Sequence, residues 1–276
     1  MRLVDSHGHL NADRFESDAD EVVAAARAAG VERILVPGWN LASCERALAL
    51  VERIDWLDAA VGVHPHDAAK VDETGWQRIR AWAPDDRVLA IGETGLDYDR
   101  VFSPIDDQLT NLRRNLALAH ETGKPAILHC RSAAGRRDAQ DALVTELERA
   151  GAGGPAWATA FADRPPAVIH SFSGPPDYAR RMLDLGLAIS FSGLVFRRGE
   201  EESAAVATFV PGDRLLVETD SPFLAPPGAP RSRNSPEWVR VTAGWVAEQR
   251  GVTPDELGPA LVAAYDRTFH RPGRTA

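Results

Sequence analysis

With 276 residues, 44% hydrophobic and 26% charged, the chain has the composition of a globular protein able to bury a large core, which excludes disordered and fibrous classes. Its formal net charge of -9 removes any general attraction for polyanions, so a nucleic-acid partner would need metal ions or a local basic patch to hold it. No run of about 18 apolar residues is present to span a bilayer and no basic-then-apolar leader opens the chain, so a cytoplasmic protein with no membrane partner is expected.

The opening stretch Leu3-Val4-Asp5-Ser6-His7-Gly8-His9 reads as a strand whose alternation puts His7 and His9 on one face. Two neutral imidazoles so placed form a clamp for a borderline metal such as zinc, manganese or cobalt. Asp18 to Ala29 is alanine-rich with helical spacing and stops at Gly30; Glu32 to Gly38 is a second buried strand. The pattern repeats with a helix from Leu41 to Ile54, the strand Leu57 to Val63 running into His64-Pro65-His66, and a short helix from Trp76 to Trp82. Arg87 to Ile91 is the fourth strand, running into Gly92-Glu93-Thr94-Gly95-Leu96-Asp97. Ser103-Pro104 supplies an N-cap and first helical position for a long helix ending at Glu121.

Pro125 to Leu128, ending in His129, is the fifth strand and precedes a helix from Asp138 to Ala150. The Gly-, Ala- and Pro-rich stretch from Gly151 to Pro166 reads as a surface loop, followed by the strand Ala167 to Ile169 ending in His170. A helix from Asp177 to Leu185, the strand Leu187 to Phe191, a helix from Glu200 to Phe209 and the strand Arg214 to Val217, ending in Glu218-Thr219-Asp220, complete the alternation. Two further helices follow, about Glu237 to Gln249 and Pro254 to Thr268, the second with Thr253 and Glu256 as a capping box. Two cysteines, Cys44 and Cys130, fit a reducing compartment, and Cys130 reads as a small core hydrophobe pointing away from His129.

Eight near-continuously apolar strands alternating with helices predict an α/β fold, a (β/α)8 TIM barrel with an extra C-terminal helix, as one domain over residues 1–276. The open doubly wound sheet lacks its Gly-x-Gly-x-x-Gly fingerprint. His7, His9, Glu93, His129, His170 and Asp220 all fall at C-terminal strand ends, which converge on one mouth in a barrel. His120, within a helix, and His270, near the tail, read as structural. Four histidines and two carboxylates are the ligand count for two divalent metals that hold a hydroxide nucleophile and stabilise a displacement at phosphorus. Glu93, in mid-barrel order, is the expected bridge, and Asp220 can bind one metal and take the proton from the attacking water.

The motifs Asp5-Ser6-His7-Gly8-His9-Leu10, Gly62-Val63-His64-Pro65-His66, Gly92 to Tyr98, His170 to Gly174, Glu218 to Pro226 and Arg233-Asn234-Ser235-Pro236 resemble the successive signatures of the TatD family of metal-dependent deoxyribonucleases. The resemblance runs from about residue 3 to 250. It implies a barrel of the amidohydrolase kind and hydrolysis of nucleic-acid phosphodiesters, as a 3′ to 5′ exonuclease on single-stranded DNA or RNA, with two divalent ions (magnesium, manganese or zinc). It further implies His7, His9, Glu93 and Asp220 on one metal, Glu93, His129 and His170 on the other, and a catalytic His64 near the substrate phosphate. Three features depart from the pattern: a long segment from Ser132 to Arg137, an insertion at Gly153 to Pro165, and the loss of the usual asparagine near Tyr265-Asp266. The family's frequent Phe-Lys stands here as Phe196-Arg197.

Arginines that follow strands at the same end would supply the grip on a phosphate backbone: Arg131, Arg136 and Arg137, Arg197 and Arg198, Arg231 and Arg233. Arg131, Arg197 and Arg233 are taken with His64 as the substrate-binding set. A metal-activated hydroxide also attacks carbonyl carbon, so a carboxylic ester or amide hydrolase such as a D-aminoacyl-tRNA deacylase is the alternative. A non-catalytic barrel scaffold is the third reading, and the intact ligand set argues against it.

Overall fold

The computed structural model describes residues 1–162 and 164–270, leaving Asp163 of the expected insertion and the last six residues of the expected single domain outside the described residues. Strands β1 (Leu3–Asp5), β2 (Val31–Pro37), β3 (Leu57–Val61), β4 (Val88–Asp97), β5 (Ala126–Arg131), β6 (Ala167–Ile169), β7 (Ala188–Phe191) and β8 (Leu215–Val217) form one sheet in sequence order. Every adjacent pair is parallel. The Ser6 N–H donates to the Val217 carbonyl at 3.0 Å and the Asp220 N–H to the His7 carbonyl at 2.9 Å, which brings the last strand back to the first. The alternation of strand and helix thus yields a nearly closed barrel rather than an open sheet.

Helices α1 (Ala19–Ala28), α2 (Leu41–Arg53), α3 (Glu73–Trp82), α4 (Ile105–Thr122), α5 (Asp138–Ala150), α6 (Pro155–Phe161), α7 (Pro176–Asp184), α8 (Glu202–Phe209), α9 (Val239–Arg250) and α10 (Pro254–Thr268) surround the strands. One contiguous core joins strand residues such as Leu35, Ile91 and Phe191 to helix residues such as Ile79, Leu116 and Val246. The expected capping box on α10 is present, with Thr253 Oγ1 and the Glu256 carboxylate each bonding the other's backbone N–H. This extra helix closes the N-terminal end of the barrel: the Tyr265 hydroxyl donates at 2.9 Å to the buried Asp58 carboxylate, which also accepts from Arg33 Nε at 3.0 Å. Buried Tyr265 occupies the region where the asparagine was missed.

Three local expectations are corrected. The stretch from Gly151 to Pro166 is not wholly a loop, because Pro155 opens α6, which buries Trp157 and Phe161 beside His120 of α4. Ser103 does not cap α4; its hydroxyl instead accepts from the Ala69 N–H and donates to the His66 carbonyl, tying the loop after β3 to the loop after β4. The fourth strand does not stop at Ile91 but runs to Asp97, with its register slipping between Ile91 and Thr94. A bulge of this kind re-aims side chains, and here Glu93 sends its N–H to the Gly38 carbonyl at 2.7 Å. The glycines flanking Glu93 permit this: a Cβ on Gly95, whose φ is +135°, would lie 1.9 Å from the His129 carbonyl oxygen.

Candidate metal centre

The loops at the C-terminal ends of the strands enclose a cleft of about 770 Å³, and the six residues expected as ligands converge at its floor. His7, His9, Glu93 and His170 are buried, while Asp220 and His129 remain partly open to the cleft. Glu93 divides its two oxygens between two groups of imidazoles. Oε2 lies 3.4 Å from His7 Nε2 and 3.6 Å from His9 Nε2. The two imidazole nitrogens are 3.1 Å apart, and Asp220 Oδ1 completes the set at 3.8 and 3.4 Å from them. Oε1 lies 3.3 Å from His129 Nδ1, 3.0 Å from His170 Nε2 and 3.3 Å from His64 Nε2.

These spacings fit cations. An ion about 2.1 Å from each ligand separates neighbouring ligand atoms by about 3.4 Å in a tetrahedron and about 3.0 Å in an octahedron. The charged partners of Glu93 among the described residues are imidazoles only, so ring nitrogens and carboxylate oxygens face one another without a lysine or arginine between them. Burial, reinforced by His170, lowers the His7 pKa, and burial pushes His64 down to about 4, so both stand as neutral imidazoles; His64 Nδ1 accepts from the His66 N–H at 3.1 Å, which leaves its proton on Nε2, facing Glu93. Burial would lower His129 and His170 as well, but in His129 hydrogen bonds to Asp97 and Glu93, and in His170 the carboxylates of Glu93 and Glu218, override it and hold both above the usual histidine value. Burial alone would raise Glu93, yet His64, His170 and His7 keep it well below the usual carboxylate range.

Three carboxylates behind the ligands stand inside the family motifs but are not among the expected site residues. Glu218 accepts from His170 Nδ1 at 3.1 Å and from the Ser171 N–H at 2.7 Å, fixing the ring so that Nε2 faces Glu93. Asp97 lies 2.6 Å from His66 Nε2 and 3.5 Å from His129 Nε2, leaving His129 Nδ1 for the centre. Asp5 accepts from Thr219 Oγ1 at 2.6 Å, from the Thr219 N–H at 2.9 Å and from the His7 N–H at 3.2 Å, latching the β1 ligands to the loop that carries Asp220. A rule extending strand alternation by two residues, from His7 back to Asp5 and from Asp220 back to Glu218, would have flagged two of them.

The arginines separate. Arg131 lines the cleft with Nε 2.8 Å from Asp99, and Arg198 lines it beside Glu200; Arg100, which the sequence reading missed, joins them. Arg197 is exposed outside this lining. Arg233 is turned away altogether: it forms two bonds of 2.8 and 2.6 Å to Asp18 and stacks over Phe15, so its position serves the loops rather than the cleft. Arg136 and Arg137 pair with Asp138 and Asp177 on the rim, and Arg231 is exposed. The long segment after β5 contributes Ser132 and Ala134 to the cleft wall, and Cys130 also lines it instead of lying wholly in the core.

A parallel eight-stranded barrel whose strand ends gather four imidazoles and two carboxylates defines a metal-dependent hydrolase. A family model described as TatD related DNase matches residues 4–270, and the chain belongs to that family, which bears out the resemblance read from its motifs. It is 38% identical over 95% of its length to the 3′-5′ ssDNA/RNA exonuclease TatD of Cronobacter sakazakii, 95% of which is covered. It is 35% identical to YabD of Bacillus subtilis, described as an uncharacterized metal-dependent hydrolase, with 97% of this chain and 98% of that protein covered. The crystal structure of YJJV, a TatD homologue from Escherichia coli, superposes with a TM-score of 0.85 over 98% of this chain and 99% of that one, at 28% identity.

Proposed function

We propose that this chain is a single-domain, cytoplasmic nuclease that uses two divalent ions (magnesium, manganese or zinc) to remove nucleotides from the 3′ end of single-stranded DNA or RNA. The observation that carries the reading is Glu93, whose Oε2 faces His7 and His9 while Oε1 faces His129 and His170. His7, His9, Glu93 and Asp220 would hold one ion, and Glu93, His129 and His170 the other. When bound, such ions supply Lewis-acid activation of water and of the phosphodiester. Asp220, on the open side of the cleft, takes the proton of the attacking water. His64, neutral and 3.3 Å from Glu93 Oε1, is placed to contact the substrate phosphate beside the second group. Arg131 and Arg198 at the cleft wall bind flanking phosphates, and Glu218, Asp97 and Asp5 keep the ligands oriented. No helix among the described residues is long and apolar enough to cross a membrane.

The test is turnover of end-labelled single-stranded DNA, RNA and aminoacyl-tRNA by purified protein, with and without chelator. Stepwise shortening from the 3′ end that stops on chelation and returns with added metal is expected. Release of amino acid from aminoacyl-tRNA with no shortening of any strand would put the ester hydrolase in its place.

A further inference from the structure

Two phenylalanines stand exposed to water beside the cleft: Phe223 lines it, and Phe102 packs against His66, which does. Phe102 is 64% exposed and Phe223 is 52% exposed. They follow β4 and β8, which lie opposite each other in an eight-stranded closed order. Each ring is set against an imidazole of the site: Phe102 edge-on to His66 with centroids 4.7 Å apart, Phe223 edge-on to His9 at 6.0 Å. A single exposed apolar side chain needs no explanation. A matched pair on opposite sides of one reactive centre does.

The backbone around both rings is held in place at a cost. Val101, just before Phe102, has φ +48°, and Leu224, just after Phe223, has φ +47°. Residues bearing a Cβ resist the left-handed region, β-branched valine most of all, so such turns persist only where their surroundings impose them. Those surroundings are present. Buried Gln108 donates to the Ser103 and Asp97 carbonyls on one side, and buried Asn234 donates to the Phe223 and Thr219 carbonyls on the other. The backbone that carries both rings is therefore fixed before any ligand arrives, which spares a ligand the cost of ordering it.

An acidic chain with Arg100, Arg131 and Arg198 set among Asp67, Asp97, Asp99 and Glu200 has little net positive charge to offer a strand. Arg131 and Arg198 can hold flanking phosphates, and stacking on aromatic rings supplies further affinity without regard to sequence, since every base has a π-face. Building on the nuclease reading above, we propose that Phe102 and Phe223 are stacking platforms, each receiving the base of one nucleotide flanking the scissile phosphate. Bases in a duplex are already stacked and paired, so the platforms select strands whose ends are free to splay.

Kinetics of the full-length metal-loaded enzyme on a single-stranded oligonucleotide test this. Phe102→Ala and Phe223→Ala should each raise KM about tenfold with little change in kcat, while Phe102→Trp and Phe223→Tyr should retain wild-type KM. On a strand whose two 3′-terminal nucleotides are baseless tetrahydrofuran sugars, wild type and the double alanine variant should converge. Alanine variants with wild-type KM, or with the same loss on the baseless strand, would overturn the platforms while leaving the nuclease reading intact. A wild-type protein that cleaves no strand with any of the three metals would remove the nuclease reading and the platforms with it.

Discussion

His170 Nδ1 lies 3.1 Å from Glu218 Oε1, and because an ionised carboxylate can only accept, the ring must donate there and present its other nitrogen, Nε2, to the centre, 3.0 Å from Glu93 Oε1. A fully buried carboxylate therefore fixes which nitrogen of a metal-facing imidazole is left for the metal without touching the substrate.

Glu218→Gln should keep the fold, since an amide oxygen can still accept from the ring, but it removes the charge that makes His170 a strong donor. Metal affinity is expected to fall roughly 10- to 100-fold, measured by competition with a metal-binding dye. Unchanged affinity would show that the ring is oriented by its packing alone.

Glu93→Ala removes the carboxylate shared by both imidazole groups. Bound metal, counted by elemental analysis, should drop from about two ions per chain toward one or none, and chelation of the unmodified protein should abolish turnover reversibly. A metal-free preparation that retains full activity would remove the mechanism.

Asp220→Asn keeps the backbone bond from residue 220 to the His7 carbonyl but loses the proton acceptor. Loss of a placed base costs roughly 10²- to 10⁴-fold in kcat. A variant within a few-fold of wild type would strip Asp220 of the base role, and near-native far-UV circular dichroism would show that folding is not the cause.

The raised pKa values of His129 and His170 give the metal-free protein a pH signature. A histidine whose folded value exceeds its unfolded value of about 6.5 contributes stability that is complete below that value and lost as pH rises through the folded one. The Tm of chelated protein should accordingly fall as pH climbs above about 6.5. Metal must displace the same protons, so its apparent affinity should climb over that window. Calorimetry in buffers of different ionisation heat would detect the released protons; metal uptake with no proton release would contradict the assignment.

Much of this site was legible because strand geometry is local. Two-residue alternation put His7 and His9 together, and the apolar runs ending at His129, His170 and Asp220 located the mouth without any knowledge of packing. What escaped depends on contacts distant in the chain. Whether Glu218 caps a turn or orients His170 is decided 48 residues away. Ser103 had the local pattern of a helix cap, yet Ala69 and His66 claim its hydroxyl. Glu93 was placed by its strand end and mid-barrel order, while the bulge that swings it inward relies on glycine meeting the His129 backbone on the next strand. Long arginine side chains were read worst, because the nearest carboxylate decides where each head group goes.

That contrast between arginines makes the last prediction. Arg131 and Arg198 line the cleft, whereas Arg233 is bound to Asp18 and to the Arg14 carbonyl and covers Phe15. Each phosphate neutralised on a single strand contributes about -0.7 to the slope of log affinity against log salt. Arg131→Gln and Arg198→Gln should each weaken binding of single-stranded DNA irrespective of sequence and make that slope shallower by about this amount. Arg233→Gln should leave the slope alone and instead lower the stability of the fold by about 1 kcal/mol, because it breaks a partly shielded ion pair and a cation–π contact. Filter binding across a salt series, with thermal melts of the same proteins, separates the two outcomes. A slope that shifts with Arg233 and not with Arg131 or Arg198 would move the strand's path from the cleft to the rim near Asp18.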